Sequence, residues 1–197
     1  MLLKEVKRLQ NSPISKVISN RIKEFKSYPN DKLFQELSFC LMTANFNAKR
    51  AINIQDSIKD GFNNLSEKQL SKKLKELGHR FPNARAKYIV EARKHDLGVI
   101  PFLEDKREYL VNNVKGLGFK EASHFLRNIG YSDFAIIDFH IVDLLVKNKL
   151  IERPKTLNKN KYLEIESLLS KLAAKLNLNL DELDLYLWYL ETGKVLK

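Results

Sequence analysis

A lysine and an aspartate near the middle of the chain have the types and spacing needed for covalent chemistry. Lys120 directly follows the sequence Gly-Leu-Gly-Phe, and Asp138 closes the later run Ala-Ile-Ile-Asp. Lys120 falls in the first turn of a predicted helix, where the positive end of the helix dipole and partial burial both favour a neutral amine. Such an amine is a nucleophile that can form a Schiff base. Together with a carboxylate that stabilises an oxocarbenium-like cation, it would suit bond cleavage at a sugar carbon.

Each of these residues also has a simpler interpretation. In a basic protein, the role of Lys120 could be limited to contacting a phosphate. Asp138 precedes an apolar helical run, so it is typical of a helix N-cap, and spacing alone favours that role. A seven-residue connection over 131–137 could nevertheless return the chain so that Asp138 lies beside Lys120. Both interpretations remain open at this level.

The two glycines before Lys120 predict a turn between two helices, within a hairpin over about residues 104–130. A Walker loop or a dinucleotide fingerprint is excluded because the required spacing and the preceding strand are missing. Gly116 and Gly118 are expected to adopt backbone conformations closed to other residues, with Leu117 pointing inward. The exposed amides at the start of the second helix would then bind a DNA phosphate without reading its sequence. Those amides belong to Gly118, Phe119 and Lys120.

The elements that position these residues are predicted to be helical throughout. Apolar residues recur with helical spacing, and alternating strand patterns are lacking. Ser66 and Gln69 form a predicted capping box. Asn83 is predicted to cap a helix that turns Arg85 outward. The fold class is therefore all-α, with residues 1–197 forming a single unit of two helical lobes around a cleft.

Charge and cysteine content narrow the possible partners. The chain has 35 Lys and Arg against 24 Asp and Glu, a net charge of +11, which favours phosphate polymers or anionic membrane surfaces. Cys40 is the single cysteine, which excludes an internal disulfide and an iron–sulfur cluster. The N-terminal stretch lacks the apolar core of a signal peptide, and no apolar run approaches the roughly 20 residues of a membrane span. We expect a monomer in the cytoplasm, associated with the nucleoid.

Several stretches together resemble a known family. The hairpin LVNNVKGLGFKEASHFLRNIG followed by IIDFH looks like the helix-hairpin-helix DNA glycosylase superfamily. Within it, the chain is most similar to the archaeal-type (type 2) 8-oxoguanine DNA glycosylase/AP lyases. The likeness also covers LMTANFNAKRAINIQ, RFPNARAKYIVEAR and the ending DLYLWYLETGKVLK. One departure is visible, because the loop before Asp138 lacks the proline that many relatives have there.

The resemblance implies a bifunctional DNA repair enzyme. Such an enzyme flips 8-oxoguanine out of double-stranded DNA. Lys120 would then displace the base from C1′ and form a Schiff base, and β-elimination would nick the strand. Asp138 would assist departure of the base and deprotonation of the amine. No cofactor would be required. The resemblance further implies a structural K⁺ or Na⁺ at the hairpin, held by the backbone carbonyls of Asn112, Val114 and Leu117.

The resemblance also implies the residues that recognise the DNA. Trp188 and Phe81 would stack on the two faces of the flipped base, with Asp184 and Lys197 binding its polar edge. Without the resemblance, Trp188 would be more typical of a core residue, and Phe81 would be equally typical of a turn-packing aromatic. Asn45 would fill the gap in the duplex, and Arg50 and Arg85 would contact phosphates or the unpaired base.

Two other functions remain compatible with the sequence. A non-catalytic helix-hairpin-helix module that binds DNA would explain the charge and the glycines, but it would leave the lysine, the aspartate and the aromatic ending unexplained. A glycosylase for another lesion, such as an oxidised pyrimidine or a mismatched adenine, would use the same chemistry with a different base pocket.

Overall fold

A computed structural model describes residues 1–197, and its regular secondary structure is entirely helical. The all-α prediction is therefore confirmed. None of the helices is both long and apolar enough to cross a membrane. Two short 3₁₀ helices, Asn30–Lys32 and Leu97–Phe102, accompany the α-helices. The α-helices are α1 Leu2–Gln10, α2 Ile14–Lys26, α3 Leu33–Thr43, α4 Ala48–Ile58, α5 Gly61–Asn64, α6 Glu67–Glu76, α7 Pro82–Ala92, α8 Lys106–Asn113, α9 Phe119–Asn128, α10 Phe139–Lys147, α11 Lys159–Lys175 and α12 Leu180–Thr192.

The chain divides into two compact units, in agreement with the two helical lobes that were predicted. The central unit is Tyr28–Phe125, and the terminal unit combines Met1–Ser27 with Leu126–Lys197. In the central unit, α3 is the buried helix, and α4, α5 and α7 pack around it. Cys40 lies in α3, is fully buried and forms no disulfide. In the terminal unit, α12 has the corresponding place and contacts α1, α2, α10 and α11.

Local capping signals set several helix ends. Ser66 and Gln69 form the predicted capping box of α6. Gly193 ends α12 in the left-handed conformation, with φ of 68°. The predicted cap at Asn83 was wrong, because α7 already begins at Pro82, whose fixed φ and missing N–H suit a first helical position. Asn83 instead accepts a hydrogen bond from the hydroxyl of Ser71.

Candidate active site and nucleic-acid interface

The hairpin consists of α8, a tight turn and α9, as its glycines predicted. Gly116 has φ of +91°, and a Cβ there would lie 2.4 Å from Cδ2 of Tyr88, so only glycine fits. Leu117 is buried, as predicted. Gly118 departs from expectation because its φ is not in the left-handed region. An added Cβ at Gly118 would meet only the flexible carboxylate of Glu121, at 3.2 Å. Gly116 therefore carries the conformational requirement of this turn.

The start of α9 has the geometry of a phosphate-binding helix end. The Gly118 carbonyl accepts the first intrahelical bond, from the Ala122 amide at 2.9 Å. Helix geometry leaves the amides of the first turn without intrahelical acceptors, and they carry positive partial charge. Phe119 is half-buried, and the guanidinium of Arg107 lies 5.0 Å above its ring. Arg107 also donates to the hydroxyl of Ser123, so it ties α8 to α9 beneath this surface.

Lys120 is the second residue of α9, and 22% of its side chain is exposed. The Oε1 atom of Glu121 lies 3.9 Å from its Nζ atom. Sequence analysis had assigned no role to Glu121. A signal was available, since a carboxylate is favoured in the first turn of a helix and Glu121 is the next residue. The predicted partial burial of Lys120 is confirmed.

Backbone carbonyls in the turn are the predicted cation ligands. The carbonyl of Val114 accepts a hydrogen bond from the amide of Leu117 at 3.2 Å. A carbonyl oxygen has two lone pairs, so this bond leaves one for a further partner. The side chains offer no cluster of three or more acidic, histidine or cysteine groups for a metal. A K⁺ or Na⁺ held by Asn112, Val114 and Leu117 fits these residues and stays a prediction.

Asp138 is the N-cap of α10, which is the simpler of the two roles that the sequence allowed. Its carboxylate accepts a hydrogen bond from the amide of Ile141 at 3.0 Å. This bond uses one carboxylate oxygen and fixes the rotamer, while Asp138 itself stays partly exposed. Capping therefore orients the carboxylate at the N-terminus of α10 and does not bury it.

The loop before Asp138 is held by α11, which sequence analysis did not foresee. The hydroxyl of Tyr162 donates to the carbonyl of Ala135 at 2.7 Å and accepts from the amide of Ile137 at 3.1 Å. Glu166 accepts from the amide of Ala135 at 2.9 Å. These bonds supply the rigidity that a proline would otherwise give this loop. The available signal was a tyrosine on the apolar face of a helix, whose buried hydroxyl needs a partner.

Trp188 lies on α12 among other rings of the terminal unit. The ring of His140 stands edge-on to it, with centroids 5.2 Å apart and planes at 89°. Phe139 covers the other side of His140 at 4.0 Å, and 67% of Phe139 is exposed. The indole Nε1 of Trp188 is buried and has no hydrogen-bond acceptor. A buried donor without an acceptor in the protein is left for a partner from outside it, such as water or a ligand. Stacking of a base on Trp188 stays a prediction.

Asp184, on α12, forms an ion pair with Arg127 of α9. Its Oδ2 atom lies 3.2 Å from Nη1 of Arg127; Arg127 is buried, and Asp184 is partly buried. The guanidinium of Arg127 also lies 4.6 Å from the ring centre of Phe25. Sequence analysis missed Arg127. Lys197, four residues beyond Gly193, is partly buried. Recognition of a base by Asp184 and Lys197 stays a prediction.

Asn45 lies in the turn between α3 and α4 and is exposed, with φ of 56°. The turn is fixed from α7 by Arg85, whose Nη2 atom donates to the carbonyl of Ala44 at 2.6 Å. Arg85 is 8% exposed, so its predicted outward orientation was wrong. Its guanidinium finds a carbonyl acceptor and two aromatic rings, Phe81 and Tyr88, inside the unit. This geometry makes Arg85 a support for Asn45, and a direct DNA contact by Arg85 stays a prediction.

Phe81 occupies the turn between α6 and α7, as predicted, with 36% of the residue exposed. The guanidinium of Arg80 lies 4.9 Å from the centre of its ring. Arg50, on α4, donates from Nη2 to the carbonyl of Gly78 at 2.7 Å, although Arg50 is largely exposed. Asn45, Arg50, Phe81 and Arg85 are thus brought together at one place in the central unit.

Comparison with known proteins gives the family. The Ogg-HhH family, described as 8-oxoguanine DNA glycosylase, matches residues 18–178. The chain belongs to this family. A relative from Methanocaldococcus jannaschii, named 8-oxoguanine DNA glycosylase/AP lyase, is 52% identical and each chain is covered in full. A relative of the same name from Korarchaeum cryptofilum is 51% identical, over 100% of this chain and 98% of its own.

Solved structures of this family have the same fold. The M. jannaschii 8-oxoguanine glycosylase/lyase in complex with a 15mer DNA containing 8-oxoguanine superposes with a TM-score of 0.97, at 51% identity and with full coverage of both chains. The 8-oxoguanine DNA glycosylase of Thermotoga maritima gives 0.93 at 43% identity, over 100% of this chain and 98% of that one. In this family member, Lys120 belongs to the central unit, and Asp138 and Trp188 belong to the terminal unit. The meeting of Lys120 with Asp138 stays a prediction.

Proposed function

We propose that this protein is a bifunctional DNA repair enzyme, which excises 8-oxoguanine from duplex DNA and then nicks the strand at the resulting site. The observation that carries the proposal is the place of Lys120, a partly exposed amine in the first turn of the hairpin helix α9. It occurs in a chain matched along its whole length by relatives named 8-oxoguanine DNA glycosylase/AP lyase.

The excision step uses the lone pair of Lys120. Its neutral Nζ attacks C1′ of the damaged nucleotide while the bond between C1′ and N9 breaks, and the electron pair leaves with the base, which takes up a proton. The sugar ring then opens to a protonated Schiff base between Nζ and C1′. The Glu121 carboxylate lies 3.9 Å from Nζ, which is too long for direct proton transfer but short enough for exchange through one bridging water.

The nicking step follows from the Schiff base. Loss of a proton from C2′ forms the enamine, and elimination of the phosphate at C3′ breaks the strand. Hydrolysis of the Schiff base by water then returns the free amine. Asp138 assists base departure by stabilising positive charge on the sugar, and it assists deprotonation of the amine. The N-cap bond to Ile141 holds its carboxylate in one orientation for that task.

Base recognition is assigned to two aromatic and two polar residues. Trp188 and Phe81 stack on the flipped base, and its polar edge is bound by Asp184 and Lys197. The unsatisfied indole donor of Trp188 supports this assignment. Asn45, exposed at a turn with positive φ, fills the space that the base leaves.

Phosphate binding is assigned to the hairpin and the basic surface. The amides of Gly118, Phe119 and Lys120 hold one phosphate, and Arg50 and Arg85 support the turns beside the lesion. A K⁺ or Na⁺ on the hairpin carbonyls would reinforce phosphate binding without entering the chemistry. The net charge of +11 suits a monomer that works on nucleoid DNA.

Borohydride trapping tests the proposal directly. The protein is incubated with a duplex that carries 8-oxoguanine opposite cytosine, and borohydride reduces any Schiff base to a stable covalent adduct. We expect an adduct with this duplex and none with a matched guanine duplex. Persistent absence of an adduct, from protein that still binds the duplex, would refute the lyase mechanism. A panel of other lesions would show whether 8-oxoguanine is the preferred base.

Two lysine variants of the hairpin form a matched pair. Lys120→Gln should abolish trapping and retain DNA binding. Lys115→Gln removes a more exposed amine, paired with Glu91 at 3.8 Å, from the same hairpin. It should retain trapping. The slope of the logarithm of the binding constant against the logarithm of salt concentration should become shallower by about one unit, as expected for the loss of one phosphate contact. Trapping by Lys120→Gln at the wild-type level would exclude Lys120 as the nucleophile.

A further inference from the structure

His79 joins the two turns that carry Phe81 and Asn45. Its imidazole is buried, and its Nε2 atom lies 3.1 Å from the carbonyl oxygen of Met42, in the last turn of α3. Its Nδ1 atom accepts a hydrogen bond from the amide of Phe81 at 3.0 Å. One side chain therefore contacts the backbone at two places: at Met42, in the helical turn that leads into the Asn45 turn, and at Phe81 itself.

These two bonds require one form of the imidazole. Nδ1 must be unprotonated to accept from the Phe81 amide, so Nε2 carries the proton and donates to Met42. Burial lowers the pKa of His79, and the nearby guanidinium groups of Arg85 and Arg50 act in the same direction. The neutral ring is therefore the one that the structure accommodates.

Other contacts connect the same two turns. Arg85 reaches from α7 to the carbonyl of Ala44, and Arg50 reaches from α4 to the carbonyl of Gly78. The ring of Phe46 lies against the His79 ring, with centroids 4.2 Å apart. The two turns are thus connected in both directions, and His79 lies at the centre of the connection.

We infer that His79 is a positioning residue that fixes the turn of Phe81 to the turn of Asn45, so that both turns approach DNA as one rigid body. The inference rests on the proposed function, in which Phe81 stacks on the flipped base and Asn45 fills its place. Flipping a base and filling the gap must occur together, because an empty stack is costly. Holding both residues in advance removes the cost of ordering each turn separately.

Replacements of His79 separate its two bonds. The side-chain oxygen of asparagine can take the place of Nδ1 and accept from Phe81, whereas the amide nitrogen of glutamine can take the place of Nε2 and donate to Met42. We expect His79→Ala to lower the single-turnover excision rate about tenfold, the equivalent of one hydrogen bond, without changing affinity for intact duplex. His79→Asn should recover most of that rate, and His79→Gln less. Should His79→Ala fail to fold, the asparagine and glutamine variants carry the comparison.

The coupling itself is measured with a double-mutant cycle. A fluorescent cytosine analogue opposite the lesion reports whether the gap is filled, and it needs no catalysis. In the parent protein, the effects of Asn45→Ala and Phe81→Ala on this signal should be strongly non-additive. In the His79→Ala or His79→Gln background, the same effects should become additive. Unchanged non-additivity, or equal excision by all His79 variants and the parent, would overturn the inference.

A matched control separates positioning from general stability. Arg93 also donates to two backbone carbonyls of the central unit, those of Phe62 and Leu65, at 2.8 and 2.7 Å. Arg93→Met should lower the melting temperature. It should leave unchanged the excision rate and the non-additivity between Asn45→Ala and Phe81→Ala. Loss of coupling in Arg93→Met would also overturn the inference. Failure of the proposed function would appear elsewhere, as absence of a Lys120 adduct in the parent protein.

Discussion

The hydroxyl of Tyr162 donates to the carbonyl of Ala135 at 2.7 Å and, by its second bond to Ile137, fixes the loop that ends at Asp138. Because Ala135 and Ile137 are buried, loss of the hydroxyl would leave two backbone groups unpaired. We expect Tyr162→Phe to lower the free energy of unfolding by about 1–3 kcal/mol. The excision rate should fall as the Asp138 carboxylate loses its fixed position, and single-turnover kinetics with urea unfolding measure both effects.

Two comparisons isolate the positioning role of Tyr162. Tyr28→Phe removes a similar bond, from a tyrosine hydroxyl to Glu36 at 2.9 Å in the central unit, and should lower stability without slowing excision. In an Asp138→Asn background, Tyr162→Phe should cause no further loss of rate. An equal loss of rate with and without the Asp138 carboxylate would contradict the assignment.

Gly116 and Gly118 should respond very differently to alanine. At Gly116, alanine meets both a left-handed backbone and the Tyr88 ring, which together should cost roughly 1–3 kcal/mol or more. At Gly118, alanine meets only the flexible carboxylate of Glu121. We expect Gly116→Ala to weaken binding of intact duplex strongly and Gly118→Ala to weaken it slightly, as measured by fluorescence anisotropy at fixed salt. Similar effects at the two positions would show that this turn does not shape the phosphate site.

Trp188 is the only tryptophan, so its fluorescence reports on one place in the protein. If a flipped base stacks on the indole, a duplex with 8-oxoguanine should quench this emission more than a guanine duplex does. Lys120→Gln would hold the complex before excision. Stacking contributes about 1–3 kcal/mol per base, so Trp188→Ala should weaken lesion binding by that amount and intact-duplex binding much less. Identical quenching by the two duplexes would place the base elsewhere.

The buried imidazole of His79 should make stability depend on pH. Burial lowers its pKa below the ordinary value of 6.5, so the unfolded chain takes up a proton at a pH where the folded protein does not. The contribution of neutral His79 to the free energy of unfolding should therefore be complete above pH 6.5. It should be lost as the pH is lowered towards the folded-state pKa. Urea unfolding across this range measures the slope, and His79→Asn should flatten it. An unchanged slope in that variant would assign the dependence to other groups.

The sequence by itself determined the elements and the chemistry they present. Helical periodicity predicted the all-α fold, and short-range signals predicted the Ser66 capping box, the Asp138 cap and the buried Leu117. Such features involve residues within about four positions of one another, so their physical causes are visible in a short stretch. Local reasoning failed at Asn83, which is displaced as a cap by the neighbouring proline, and at Gly118, because Gly116 alone in this turn takes the left-handed conformation.

Only the tertiary structure decided how the site is supported. Arg85 was expected to face outward because charged residues on a basic helix usually do, but a carbonyl 41 positions away accepts its hydrogen bond. His79 reaches Met42 across 37 positions, and Tyr162 reaches Ala135 across 27. Packing of distant helices creates these buried acceptors, and a buried carbonyl must find a donor from whichever side chain is near. The reactive groups can therefore be predicted from the sequence, whereas the residues that hold them in place can be identified only from the folded structure.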